Sequence, residues 1–72
     1  MSRLPQLSGR ECVAILERFG FRFIRQKGSH MVLRRDDPFS QLIVPNHKQL
    51  DRGTLRAIIR QSGLSVDIFI GS

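Results

Sequence analysis

Apolar residues fall at Cys12, Ile15, Leu16 and Phe19, the i, i+3, i+4, i+7 spacing that lines one face of a helix, with Val13 at its edge. Arg10, Glu17 and Arg18 fall on the side left for water. Ser8 and Glu11, ahead of this stripe, have the spacing of a capping box, and Gly20 behind it can take the left-handed conformation that closes a helix. A first helix is therefore predicted over residues 9–19. From Phe21 the helical period gives way to alternation: Phe21 and Phe23 are expected on one side of a strand ending near Arg25, with Arg22 on the other. Gln26 to Ser29 reads as a turn around Gly28, and His30 to Arg35 as a second strand. There His30, Val32 and Arg34 share one face and Met31, Leu33 and Arg35 the other, a pattern that leaves the choice of core face open. Asp36-Asp37-Pro38 is a turn, Phe39 is expected to pack, and Ser40 to Val44 forms a third strand stopped by Pro45. Asp51 can cap a second helix whose stripe is Leu55, Ile58 and Ile59 and which ends at Gly63. Ser65 can cap a last short turn, with Leu64 and Phe69 at hydrophobic-staple positions.

The order helix, strand, strand, strand, helix, plus a terminal turn, predicts an α+β fold. Short hairpins make the three-stranded sheet antiparallel, two helices cover one of its faces, and the other face stays open to solvent or a partner. Residues 1–7 carry no periodicity and include Pro5, so they are expected to be a flexible leader to a single domain spanning 8–70. A chain of 72 residues buries only about 60% of the surface exposed when unfolded, which calls for one compact core. No run reaches the ~20 apolar residues of a membrane span, and no apolar signal core follows the N-terminus, so the cytoplasm is the expected compartment.

Charge sharpens this picture. Twelve Lys and Arg against six Asp and Glu give a net +6, and the excess is unevenly placed. Residues 21–35 hold Arg22, Arg25, Lys27, Arg34 and Arg35 with no acid, and residues 48–60 hold Lys48, Arg52, Arg56 and Arg60 against Asp51 alone. The three arginines of the second segment recur every four residues, away from the apolar stripe. Two such clusters imply a polyanionic partner, nucleic acid or an acidic protein surface.

The candidate chemistry centres on Gln26-Lys27-Gly28-Ser29-His30. Cleaving RNA without a metal needs a group to take the proton of the ribose 2′-hydroxyl, a proton for the leaving 5′-oxygen, and positive charge beside the phosphate. A histidine can take and return a proton near neutral pH, which makes His30 the candidate for the proton transfer. Arg25, Lys27 and Arg34 can hold the phosphate, with the backbone around Gly28 and Ser29 in support. His47, in the loop after the third strand, is a candidate for the second proton if that strand lies beside the second. The plainer alternatives are a solvated hairpin histidine at 30 and an ordinary loop histidine at 47. Cys12, mid-helix on the apolar stripe, reads as a buried hydrophobe, not a thiol nucleophile. Two histidines and one cysteine scattered along the chain lack metal-ligand spacing, and Asp36 and Asp37 diverge from a tight turn with no third carboxylate nearby, so no metal or other cofactor is expected.

Leu7-Ser8-Gly9-Arg10-Glu11, Phe19-Gly20-Phe21, Arg25-Gln26-Lys27-Gly28-Ser29-His30, Val44-Pro45-Asn46-His47 and the helix from Gly53-Thr54-Leu55-Arg56 to Gly63-Leu64-Ser65 together resemble the HicA toxins, in family order over residues 7–69. The resemblance implies a fold similar to the double-stranded RNA-binding domain. It also implies a metal-independent messenger-RNA interferase whose catalytic histidine corresponds to His30, growth arrest through messenger-RNA cleavage, and a HicB-type antitoxin covering that histidine. A non-catalytic RNA-binding module using the same basic surface is the alternative, and a basic ridge that docks an acidic protein is a third.

Overall fold

A computed structural model describes residues 4–71. Helix α1 spans Gly9–Arg18. Its start is the capping box expected: the Ser8 hydroxyl accepts from the Glu11 amide at 3.0 Å and the Glu11 carboxylate accepts from the Ser8 amide at 2.8 Å. Phe19 has already left helical angles and serves as C-cap, one residue earlier than predicted. Gly20, at φ +94°, sends its amide to Glu17 and Phe21 sends its amide to Leu16, the paired bonds of a Schellman close. Leu16 and Phe21, at the two ends of that motif, are both buried.

Three strands follow: β1 Arg22–Lys27, β2 His30–Asp36 and β3 Phe39–Pro45, in the sheet order β1-β2-β3, antiparallel throughout. β1 runs two residues further than the sequence suggested because the turn needs only Gly28 and Ser29. Gly28 takes φ +60° while Ser29 does not go positive, the pattern of a type II′ hairpin with glycine first. Asp37 and Pro38, joined by a cis peptide bond, make the second hairpin. Pro45 ends β3 from inside the strand, paired with His30, a place where an edge strand tolerates a missing donor.

Register settles which face is core. Leu33 pairs with Leu42 and Met31 with Val44, all buried, so the Met31 and Leu33 face looks inward. Arg35 shares that face without entering the core: its guanidinium lies 4.6 Å from the Phe21 ring centroid and its Nε donates to the Pro38 carbonyl at 2.9 Å. Helix α2, Arg52–Ser62, starts at the Asp51 cap and ends at Gly63 in the left-handed conformation at φ +81°. The short helix α3, Val66–Ile70, is capped by Ser65 and buries Phe69. Cys12, Val13 and Leu16 from α1, Leu55, Ile58 and Ile59 from α2, and Phe69 join the inward sheet residues in one core, with the helices on a single side of the sheet. Burial pushes the Cys12 thiol up to about 12, as a buried hydrophobe requires.

Of the expected leader 1–7, residues 1–3 lie outside the described residues. Leu4 and Leu7 pack against the core, and the Leu7 carbonyl accepts from the Leu50 amide at 2.7 Å. Among the described residues no helix is long and apolar enough to cross a membrane.

Candidate nucleic-acid interface

Strict alternation from Arg22 would send Arg25 and Lys27 toward the helices. A bulge prevents it. Phe23 pairs with Leu33 but the next partner, Val32, faces Arg25, leaving Ile24 as the extra residue. The slip by one turns Arg25 and Lys27 onto the open face with Arg22, His30 and Arg34. Phe23 stays on the inward side and, at the sheet edge, remains 45% exposed.

On that face His30 stands directly across from Lys27 on one side and Pro45 on the other, and Arg25 is the next open-face position along β1. Directly opposed side chains sit about 5 Å apart at Cβ, so Lys27 and His30 can act on one bound group. Gly28 and Ser29 form the exposed tip beside them, where the Gln26 side-chain amide donates to the Gly28 carbonyl at 2.9 Å. Arg34 shares the face but lies four residues along β2 from His30, about 13 Å away. It is drawn to Asp36 instead: its Nε is 3.5 Å from one carboxylate oxygen, a charge contact too long and poorly aimed for a hydrogen bond. Arg22, which sequence reasoning did not single out, binds the other oxygen at 2.6 Å. The one acid of this face among the described residues is thus spent at the far end. Among the described residues no ion pair reaches Arg25, Lys27 or His30.

His47 follows a different path. Its carbonyl accepts from the Gly9 amide at 2.9 Å, and its ring contributes to holding the Asp51 carboxyl below the usual carboxylate range, a shift caused mainly by the Thr54 backbone amide. No hydrogen bond joins it to His30 among the described residues. The His30 end of the sheet is tied down nonetheless. The Asn46 amide donates to the Ser29 carbonyl at 2.6 Å, and α1 approaches so closely that a Cβ on Gly9 would lie 2.0 Å from the Pro45 carbonyl oxygen.

Phe39, expected to pack, is 68% exposed, because its pairing with Asp36 puts it on the open side of the sheet. Ile43, paired with Val32 on that side, is 54% exposed. The open face therefore presents exposed apolar positions as well as the cations of the hairpin.

Residues 9–64, from the start of α1 past the end of α2, match the family model of the HicA toxin of bacterial toxin–antitoxin systems. The chain belongs to the HicA toxin family. It is accordingly the toxin of a toxin–antitoxin pair, and an antitoxin is its partner. No curated protein matches it. The basic hairpin, His30, His47 and the arginines of α2 all lie inside the span shared with other HicA toxins, whereas α3 lies beyond it.

Proposed function

We propose that this HicA toxin is a metal-independent endoribonuclease that cleaves messenger RNA in the cytoplasm, with His30 as the proton-transfer group, and that a HicB-type antitoxin inhibits it by covering the same face. The observation that carries this reading is the pairing of an exposed His30 with Lys27, beside Arg25, on a face whose only acid is occupied elsewhere. In the reaction the 2′-oxygen attacks phosphorus as His30 takes its proton. The bond from phosphorus to the 5′-oxygen breaks, and that oxygen leaves with a proton returned by His30 or water, giving a 2′,3′-cyclic phosphate and a 5′-hydroxyl. Lys27 and Arg25 neutralise the charge that builds on the phosphate, with the tip at Gly28 and Ser29 beside it. Arg34 contacts the strand further along the face. His47, which no hydrogen bond joins to His30 among the described residues, is the weaker candidate for the second proton.

His30→Ala tests the proposal. Cleavage of a defined transcript should fall about 10²- to 10⁴-fold, and growth arrest should disappear, while RNA affinity and antitoxin binding persist. Undiminished cleavage by the folded variant would sink the assignment, and RNA binding without cleavage by the wild-type chain would favour a non-catalytic module.

A further inference from the structure

The exposed side of α2 carries three arginines and no acid. Arg52, Arg56 and Arg60 are exposed at i, i+4 and i+8, along one flank of the stripe formed by the buried Leu55, Ile58, Ile59 and Ser62. Like charges four residues apart on a helix repel, and an arginine in the first turn faces the positive end of the helix dipole. The helix contains no acid to offset either effect. Asp51, next to it, is committed to capping, accepting from the Thr54 amide at 2.8 Å and the Thr54 hydroxyl at 3.1 Å. Among the described residues no ion pair reaches Lys48, Arg52, Arg56 or Arg60. The contrast with α1 lies in the first turn, where that helix has Glu11 and α2 has no acid; Arg60, like Arg18, stands in a last turn where positive charge is favourable.

We infer that this ridge is a second binding surface for the phosphodiester backbone of RNA, holding the stretch of strand next to the one at the hairpin. The identity of the ligand rests on the RNA-cleaving reading above. Successive arginines stand about 6 Å apart along the helix axis, comparable with the step between neighbouring phosphates on an extended strand. That regular spacing suits a regular polyanion better than the irregular carboxylates of a folded protein. The path is also continuous. Asn46 fastens the end of β3 to the hairpin tip, and Lys48 and Arg52 follow closely after it. At the other end the Ser40 hydroxyl donates to the Gln61 carbonyl at 2.8 Å, so α2 runs back alongside β3 from the His30 end of the sheet to its opposite end. A strand leaving His30 over the β3 edge meets Lys48 and Arg52, then Arg56 and Arg60.

The test uses the full chain carrying R52Q/R56Q/R60Q and a fluorescent 2′-O-methyl RNA of about 20 nucleotides, longer than a single-fold binding site and lacking the hydroxyl needed for cleavage. Anisotropy over a salt series should give a slope of log affinity on log salt shallower by about 2, at about 0.7 per lost phosphate contact. Arg56→Gln alone should lose about 0.7, which keeps the test open if the triple variant misfolds. The thermal midpoint should stay close to that of the wild-type chain, because the repulsion removed along the ridge and the favourable last-turn charge lost at Arg60 offset each other. An unchanged slope, with affinity still lowered by R25Q/K27Q, overturns the α2 surface and leaves the RNA reading standing. No binding of RNA by the wild-type chain overturns both. Loss of antitoxin binding in the triple variant, with the RNA slope unchanged, assigns the ridge to the protein partner and overturns the inference.

Discussion

Arg34 and Arg35 are adjacent in sequence and have opposite employment. Arg34 projects from the open face, whereas Arg35 lies over Phe21 and close to Gly20 and Gly63, the residues that close α1 and α2. Its guanidinium lies by the end of α2, where positive charge is favourable, and its aliphatic stem lies by the end of α1. Arg35→Gln is therefore expected to cost about 1–2 kcal/mol of stability in urea titrations, with RNA affinity per folded molecule unchanged. The sequence could not separate these two arginines, because each face of β2 alternates apolar and basic residues equally well. Nor could it locate the extra residue at Ile24, which depends on pairing with β2 and leaves no mark in the alternation of β1 itself. His30, Lys27 and Arg25 were legible as candidates from residue type and charge alone. That Arg25 shares their face was not.

Helix boundaries were the most legible elements, since serine, aspartate and glycine at the ends satisfy local backbone groups whatever the tertiary context. Asp51 at the start of α2 carries a pH dependence with it. Its carboxyl is held below the ordinary value chiefly by the Thr54 amide. The stabilisation by the ionised cap is therefore complete above the ordinary carboxylate pKa and disappears as pH falls through the lower folded value. Acid titration of stability should show a drop below about pH 4 that is smaller in Asp51→Asn, which caps without titrating. An identical acid limb in both proteins would remove Asp51 from the account. Strand ends were less legible, because the two-residue turns are set by register with a neighbour and not by the strand's own composition.

At the scale of the whole molecule the chain is two layers, helices on one side and an open basic sheet on the other. The order of elements and the one-sided cover followed from periodicity, as did the expectation of a partner for the uncovered face. Cys12 lies at the centre of the single core, with its thiol raised to about 12. Thiol reagents at pH 8 should consequently modify it only when the core opens, so its labelling rate in rising urea should track global unfolding, and fast labelling of the native chain would contradict the core described here.

The close approach of Gly9 to Pro45 bears on how force passes through so small a body. A two-stranded tip built on Gly28 and Ser29 would by itself bend like a hinge. Here it is fastened through Asn46 to the end of β3, and that end is seated against the first turn of α1 with no room for even a methyl group between them. The hairpin is thus a fixed jaw and not a loose flap. On the proposed reading of His30 and Lys27, an RNA substrate has to conform to them, because the backbone beneath them is already held in contact.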